Sequence, residues 1–315
     1  MSTQPTSQPR RYTTSAPPIL NPAIPIIELP QGRLQIGHSA RNRFSGQAVD
    51  AVQAALSNLQ AETLPTRNDD LGWEGLRILD SIDALQDSPR PHAWSLRDSP
   101  DRARLRGLAN SMRSRSSMQL IAARPSVRIS VTASTSWAVL EQTLQQLELQ
   151  ISADTSAGDI AVLIGPVGFQ RISSLMRNNT PHLAISPRTD SIRVGPLVIP
   201  GRSPCLQCLY LARCDRDQDF FRTSLRLENQ VSADIDHLLI NQASCLAARL
   251  VARCADWLSC VRGNATGFEE PLPADTGEYW VVGANTLEID SRSVARHPRC
   301  ACWWEQLKAV KPETT

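Results

Sequence analysis

The sequence predicts an α/β protein, in which a mostly parallel sheet carries helices on both faces and follows a small α+β module. Between residues 127 and 186, short apolar strand patterns alternate with helical patterns, which is typical of a parallel sheet. Between residues 24 and 84, two strand patterns precede two helical ones and indicate the smaller module. Two cysteine pairs, near residues 205 and 300, predict a metal site within the larger region.

The composition is that of an ordinary globular protein, with 315 residues, 41% hydrophobic and 20% charged. A formal net charge of +2 is too small to indicate a nucleic-acid or membrane partner. The N-terminus is polar, without the apolar core of a signal peptide, and no apolar run reaches the roughly 18 residues of a membrane span. We therefore expect a cytoplasmic protein with reduced cysteines and no membrane partner.

The N-terminal region divides into a tail and a module. Residues 1–22 are rich in Ser, Thr, Pro and Gln, which predicts a disordered tail. In the module, residues 23–86, the segments IPIIEL and GRLQIG predict two strands that turn at Gly32. We expect a helix from a Ser45 cap to about Gln60, and a second helix from about Gly72 to Ala84.

Residues 87–124 read as a linker. Seven arginines lie between Arg90 and Arg115, but Asp98 and Asp101 interrupt the positive charge. A solvated, partly helical connector is therefore favoured over a phosphate-binding patch. A zinc-containing nucleic-acid binder stays an alternative, and it predicts a steep salt dependence of binding.

The larger domain is predicted over residues 125–304, followed by a tail at 305–315. We expect strands at VRISV, DIAVLIG, HLAIS, YWVVG and NTLEID, helices at WAVLEQTLQQLEL and FQRISSLMRNN, and a strand pair within RVGPLVIPG. The longest helix is predicted from Ser232 to about Leu258, with an apolar stripe more extensive than one buried face requires.

The two cysteine pairs predict one structural zinc site. Cys205 and Cys208 are separated by two residues, Cys300 and Cys302 by one, and each pair lies in a turn-rich segment suited to wrapping one side of an ion. Four thiolates would close the coordination sphere and leave no position for a reacting water. Two readings remain beside this one: inert reduced cysteines, and a redox dithiol at the first pair. His297 is a conceivable substitute ligand, although packing is its more ordinary role.

No catalytic residue is predicted. Cys245, Cys254 and Cys260 read as core residues of the long helix, and Cys214 has no assigned role. The five histidines are scattered along the sequence, at His38, His92, His182, His237 and His297, and none forms a pattern with a nucleophile.

The first strand-to-helix turn of the larger domain argues against ATP binding. This turn reads TASTSW, from Thr132 to Trp137, and contains no glycine. Phosphates normally approach backbone amides at a glycine-rich turn before a helix. We expect Trp137 to crowd that space, so the sequence predicts no bound nucleotide.

The segment TPHLAISPRTDSIRVGPLVIPGRSPCLQCL and the terminal HPRCAC resemble the ThiF-like proteins of azole-forming (thiazole/oxazole) peptide biosynthesis, which includes bacteriocins. The resemblance covers residues 125–304, and residues 24–85 more loosely. It implies a degenerate form of the adenylating-enzyme fold that keeps a four-cysteine zinc site and pairs as a homodimer. The N-terminal region would then be a winged-helix-like module that binds the leader of a precursor peptide.

The function implied is that of a non-catalytic partner, which presents the precursor peptide to a YcaO-type cyclodehydratase that supplies the ATP chemistry. Two alternatives stay open: an active ATP-dependent adenylating enzyme of the ThiF type, and a regulatory scaffold.

The peptide would add as a strand to the sheet of the N-terminal module. Pro25 and Pro30 weaken the edge at residues 24–29, so the strand at residues 33–37 is the expected docking site. The predicted peptide-binding residues are Leu34, Ile36, Val49, Val52 and Leu56, with the helical members forming the floor or flank of the groove.

Overall fold

The structure, a computed structural model, divides the chain into two compact units, Met1–Ile121 and Ala122–Thr315. It describes residues 17–21, 24–37, 39–82, 84–86, 107–108, 112, 117–133, 137–154, 158–188, 190–221, 235–264, 276–284 and 289–303. Most of the arginine-rich segment, the C-terminal tail and residues 1–16 lie outside these ranges. The predicted disordered tail at residues 1–22 is wrong at its end, because Ile19–Leu20 form a strand.

The first unit is built from short antiparallel strands and two helices. Its elements are β1 (Ile19–Leu20), β2 (Ile26–Leu29), β3 (Arg33–Ile36), β4 (Arg43–Phe44), α1 (Gln47–Gln60), α2 (Asp70–Ser81) and β5 (Leu85–Gln86). β2, β3 and β4 form one sheet in that order, and β1 pairs with β5. β3 is therefore the central strand, and β2 and β4 are the edges.

Both predicted helices of this unit exist, with different starts. α1 follows Gly46, whose φ of 58° marks the turn into the helix, so the predicted Ser45 cap is wrong. α2 begins two residues before the predicted Gly72, because the Asp69 carboxylate accepts a hydrogen bond from the Gly72 amide at 2.8 Å. The two helices approach closely at Gly75, where an added Cβ would lie 1.9 Å from the carbonyl oxygen of Ala51.

The second unit contains a seven-stranded mixed sheet. Its elements are α3 (Ser117–Ala123, which begins before the unit boundary), β6 (Arg128–Ala133), α4 (Ala138–Gln146), β7 (Gln150–Ile151), β8 (Ile160–Ile164), α5 (Phe169–Arg177), β9 (His182–Pro187), β10 (Ser191–Val198), α6 (Leu206–Arg216), α7 (His237–Val261), β11 (Glu278–Gly283) and β12 (Ile289–Ser293). The strand order is β12-β11-β10-β9-β8-β6-β7. Strands β7, β6, β8 and β9 are parallel, and β9 to β12 run antiparallel to one another.

Helices cover both faces of this sheet, as predicted. On one face, Leu140 and Leu144 of α4 and the buried stripe of α7 pack against alternate strand residues such as Val162. On the other face, Leu175 of α5 and Leu206 of α6 pack against the intervening strand residues of β8. The α/β prediction is confirmed, although half of the strand pairings are antiparallel.

Two elements of the second unit differ from expectation. RVGPLVIPG does not fold back on itself: it continues the single strand β10, which forms a hairpin with β9 and shifts register between Val194 and Leu197. α7 begins at His237, where the Asp236 side chain accepts from the Leu238 amide, and runs to Val261. Most of its apolar stripe lies in the core of its own unit, although Leu238 in the first turn is 70% exposed. No helix in the described ranges has the length and apolarity to cross a membrane.

Candidate metal centre and peptide-binding edge

The four predicted cysteines meet at one point of the second unit. The sulfurs of Cys205, Cys208, Cys300 and Cys302 all lie within 4.8 Å of one another. The Cys205 sulfur is 3.8 Å from that of Cys208 and 3.5 Å from that of Cys300, and the Cys208 sulfur is 3.4 Å from that of Cys302. Zinc–sulfur bonds of about 2.3 Å in a tetrahedron place the sulfurs about 3.8 Å apart. The cluster therefore fits a tetrahedral metal ion.

The first pair lies at the N-terminus of α6. Cys205 is the residue that caps the helix, and the amide of Cys208, in the first turn, donates to the Cys205 carbonyl at 3.0 Å. The preceding turn is held by Ser203, whose hydroxyl accepts from the Ile199 amide at 2.8 Å. Because helix N-termini favour negative charge, this location stabilises the thiolate forms of both cysteines.

The second pair lies where the chain leaves β12. The amide of Cys300 donates to the His297 carbonyl at 2.9 Å, and a short 3-10 turn, Ala301–Trp303, carries Cys302. Across the cluster, Gly277 (φ 80°) passes close to Pro204, so that a Cβ there would lie 3.1 Å from the proline ring. The turn before Cys205 thus packs against the chain entering β11.

His297 supports the site and is not one of the ligands. Its Nε2 donates to the Asp215 carboxylate at 2.7 Å, and its Nδ1 accepts from the Arg299 amide at 3.2 Å. Arg299 also binds Asp215. The His297 amide donates to the Cys208 sulfur, which favours the thiolate. Asp215 on α6 is thereby tied to the loop that carries the second cysteine pair.

The electrostatics of the four thiols call for a cation. The Cys205 thiol donates to the Cys208 sulfur, and this hydrogen bond lowers the pKa of Cys208 to about 4 and raises that of Cys205. Burial, together with the neighbouring sulfurs, raises the pKa of Cys302 to about 12. Without a metal, the negative charge of one thiolate disfavours deprotonation of the neighbouring thiols. A bound divalent cation compensates that charge and allows all four to ionise.

The other cysteines lie apart from this cluster. Cys254 is buried in the core of α7, as predicted, but Cys245 is exposed and Cys260 half-buried, so only one of the three is a core residue. The α7 face toward the sheet is filled mainly by alanine and aliphatic side chains, and Cys245 lies on the opposite side. Cys214 is half-buried on α6.

The predicted peptide-binding residues lie inside the first unit. Leu34, Ile36, Val49 and Val52 are buried, with at most 7% of the residue surface exposed, and Leu56 is partly buried. They form the core between the sheet and α1, so their side chains do not line an open groove. The expectation that they contact a peptide is corrected here: the apolar spacing marked the core of the module.

β2 is the longer of the two edge strands of this sheet, since β4 has only two residues, and the predicted docking strand β3 is paired on both sides. The Gly37 amide donates to the Pro25 carbonyl, which sets the antiparallel alternation and turns the N–H and C=O groups of Ile26 and Glu28 away from β3. Ile26 and Ile27 are each 39% exposed, and Glu28 is exposed. β2 thus combines outward backbone groups with exposed apolar side chains.

The turn after β6 is described at its ends only, because residues 134–136 lie outside the described ranges. Trp137, at the start of α4, is 2% exposed and packs in the core of the sheet face covered by α7. Its ring belongs to that core, which differs from the expected position over a phosphate.

No family model matches the sequence, and no curated protein matches it. Solved structures do match. A heterocyclase in complex with substrate and cofactor superposes with a TM-score of 0.64 at 14% identity, over 96% of this chain and 42% of the heterocyclase. The heterocyclase TruD gives a TM-score of 0.59 at 15% identity, over 95% and 45% of the two chains. E. coli MccB with ATP gives 0.59 at 12% identity, over 91% and 99%.

These similarities establish the fold. The chain spans less than half the length of the two heterocyclases and nearly the whole length of MccB. The fold that the resemblance implied is confirmed, since heterocyclases and MccB share it with this chain.

Proposed function

We propose that this protein is a non-catalytic partner that binds a precursor peptide and presents it to a YcaO-type cyclodehydratase, with a structural zinc and no ATP chemistry of its own. The observation that carries the proposal is the open β2 edge of the N-terminal unit, in a chain whose fold resembles that of heterocyclases. One of those heterocyclases is in complex with its substrate.

The peptide would add to β2 as an antiparallel or parallel strand. Ile26 and Glu28 offer backbone donors and acceptors at a spacing of two residues, which is the spacing at which an added strand forms hydrogen bonds. The exposed side chains of Ile26 and Ile27 provide apolar contacts on opposite faces of the sheet, so alternate residues of the peptide would each meet one of them. This assignment keeps the predicted mode of binding and moves it from β3 to β2.

Zinc is the metal we propose for the four-cysteine cluster. Four sulfur ligands in a tetrahedral arrangement are typical of structural zinc, and they leave no coordination position for substrate or water. Cys205 and Cys208 would hold the ion on α6, and Cys300 and Cys302 would hold it from the chain after β12. Bound zinc supplies a crosslink between segments about 95 residues apart in sequence.

A substitution on the free edge of β2 tests the peptide proposal. Glu28→Pro removes the outward amide of residue 28 and leaves the β2–β3 hydrogen bonds in place. Glu28→Ala removes the carboxylate and keeps the amide. With a precursor peptide encoded beside the gene, measured by fluorescence anisotropy on full-length protein, we expect Glu28→Pro to weaken binding at least tenfold and Glu28→Ala to change it less than threefold, since one or two edge hydrogen bonds contribute about 1–2 kcal/mol.

Equal affinities of the wild type and Glu28→Pro would refute docking on this edge. A comparable loss in both variants would assign the effect to the carboxylate and contradict strand addition.

A second candidate, an active adenylating enzyme, is favoured by the similarity to MccB with ATP, which extends over 99% of that chain. The glycine-free turn between Thr132 and Trp137 opposes it. The proposed homodimer rests on the resemblance, since most of the stripe on α7 packs in its own core. The cyclodehydratase partner and the cytoplasmic location likewise stay predictions.

A further inference from the structure

A buried guanidinium on β10 lacks acceptors for part of its hydrogen-bonding capacity. The Nη2 of Arg193 donates to the Ser186 hydroxyl on β9 at 2.6 Å, and its Cζ lies 5.9 Å from the centre of the Tyr279 ring on β11. Its Nε and Nη1 are buried and, among the described residues, have no hydrogen-bond partner. An arginine carries five N–H donors, and these two nitrogens hold three of them.

A second arginine reaches the same tyrosine from α6. Arg213 is half-buried, donates to Tyr279, and lies over the Phe220 ring with its Cζ 5.7 Å from the ring centre. Arg188, just after β9, and Arg292, on β12, are exposed and close enough to act on the charge of Arg213. Arg188 and Arg292 are thus exposed, Arg213 and Arg193 are half-buried as whole residues, and the Nε and Nη1 atoms of Arg193 are buried. Positive charge therefore extends from the surface to the Arg193 guanidinium.

The cluster is not neutralised by the carboxylates that the structure describes around it. The pKa of Arg193 is lowered to about 9 by burial and by the positive charges of Arg213 and Arg188, and the Tyr279 hydroxyl acts in the opposite direction. Asp215, on α6, is bound to His297 and Arg299. Asp290, the nearest acidic residue along β12, pairs with Arg292 at the surface.

An unpaired buried cation is costly, and a structural role does not explain it, because an aliphatic side chain would pack there without that cost. Groups of arginines that converge without carboxylates are the usual receptors of oxyanions, which accept several charge-assisted hydrogen bonds at once.

We propose that Arg193, Arg213 and Arg188 form a binding site for an oxyanion, a phosphate or a carboxylate, on the face of the sheet covered by α6. The Nε and Nη1 donors of Arg193 would receive the anion, and Arg213 and Arg188 would balance its charge. The three arginines lie outside the β2 edge and are not among the four cysteines, although Tyr279 packs in the same cluster as Cys205, Cys208 and Cys300. Failure of this site and failure of the proposed function are therefore distinguishable by substituting the arginines alone.

The test uses the full-length protein and measures its thermal unfolding midpoint in sodium phosphate, sodium acetate and sodium chloride at equal ionic strength. We expect phosphate, at ten times its dissociation constant, to raise the midpoint by about 3 °C over chloride. Arg193→Met should abolish this rise and, in chloride, should unfold at the same or a higher temperature than the wild type, because it removes an unpaired buried charge. Arg177→Met, which removes an exposed arginine of α5, is the matched control and should keep the full response to phosphate.

The three salts separate the sources of the anion. A rise with phosphate alone assigns the site to phosphate-bearing ligands, and an equal rise with acetate assigns it to carboxylates. A midpoint that is the same in all three salts, or a phosphate response that persists in Arg193→Met, overturns the proposal. If Arg193→Met fails to fold, Arg213→Met serves in its place. Loss of the half-buried Arg213 side chain should reduce the rise of the midpoint in phosphate at least threefold, while the Arg193 guanidinium is kept. An undiminished response in Arg213→Met would also overturn the proposal.

Discussion

Each cysteine of the metal cluster depends on the other three, because thiolates this close repel one another without a cation. Cys205, Cys208 and Cys300 are buried, so none of their sulfurs is freely solvated in the absence of metal. Their placement at a helix terminus and beside the His297 amide lowers the cost of the first thiolate, and the ion lowers the cost of the remaining ones.

Substituting one ligand should therefore release the metal. In Cys205→Ser we expect the zinc content to fall from about one per chain to below about 0.2, and the unfolding midpoint to drop by about 10 °C, because the remaining thiolates cannot complete a tetrahedron. Cys245→Ser, at an exposed cysteine on α7, is the matched control and should keep the zinc and the midpoint. Metal analysis of freshly purified protein checks both variants, and a full zinc content in Cys205→Ser would contradict the assignment.

A buried histidine sets a second prediction, concerning pH. His182 begins β9 with no exposed surface, its Nδ1 lies 3.0 Å from the Thr180 carbonyl, and its buried Nε2 has no partner among the described residues. Burial lowers the pKa of His182 to about 4, from 6.5 in the unfolded chain. Between these values the unfolded state binds more protons than the folded state, so the free energy of unfolding falls as the pH decreases from 6.5 to 4 and is unaffected above that window.

Replacing this histidine should flatten the dependence on pH. His182→Asn keeps an amide donor near the position of Nδ1, facing the Thr180 carbonyl, and does not titrate. Between pH 7 and pH 5, the wild type should lose about 2 kcal/mol more of its free energy of unfolding than the variant, as measured by urea denaturation. Parallel curves for the two proteins would show that the imidazole is protonated in the folded state as readily as in the unfolded chain.

At the scale of elements, an ion pair joins the short 3-10 turn before β6 to α7. Arg124 donates to both carboxylate oxygens of Asp256, at 2.7 and 2.8 Å, and to the Leu147 carbonyl at 3.1 Å. Both side chains are 3% exposed. Because the pair is buried and bidentate, it fixes where the long helix lies relative to the start of the sheet.

Removing one member of this pair should be far more harmful than removing both. Arg124→Leu leaves a buried carboxylate and should lower the free energy of unfolding by about 3–5 kcal/mol, whereas Arg124→Leu combined with Asp256→Leu should recover at least half of that loss. Urea denaturation of the two single variants and the double variant provides the cycle. Additive losses in the double variant would show that the two residues act independently.

Apolar patterns in the sequence predicted the existence of several helices and strands. The apolar spacing of Val49, Val52 and Leu59 located α1, and the short apolar runs located β6, β8 and β9. The same spacing misassigned the docking site, because apolar residues that face a core and apolar residues that face a ligand have the same pattern in a sequence. Strand order is not encoded locally, so nothing in residues 33–37 indicated that β3 would be paired on both sides.

Some residues of the candidate site were likewise predictable from the sequence, and others were not. The four cysteines were predicted from their spacing, because structural zinc sites commonly take their ligands as short cysteine pairs. Asp215 and His297 are 82 positions apart in the sequence, and no local sequence pattern predicted their contact. The arginines at 188, 193 and 213 were likewise invisible as a group, since they come from three elements that only the sheet and α6 bring together.

For the whole molecule, the extent of the similarities raises the question of whether this chain binds a nucleotide. It matches nearly the full length of MccB, one structure of which contains ATP, but less than half of each heterocyclase. A shared fold places a nucleotide site at the carboxyl ends of the parallel strands, where a glycine-bearing turn must let phosphates approach the backbone. In this chain the corresponding turn after β6 is TASTSW.

Calorimetry with Mg-ATP on the zinc-loaded protein should therefore detect no binding tighter than about millimolar, because the sequence of the turn contains no glycine at which phosphates could approach the backbone amides. Arg193→Met, titrated in parallel, separates two origins of any weak signal. Binding lost in this variant belongs to the arginine cluster, since that cluster lies on β10 and α6 and not at the turn after β6. A micromolar affinity that survives Arg193→Met, or measurable ATP–pyrophosphate exchange, would establish an active nucleotide site and favour the adenylating enzyme over the non-catalytic partner.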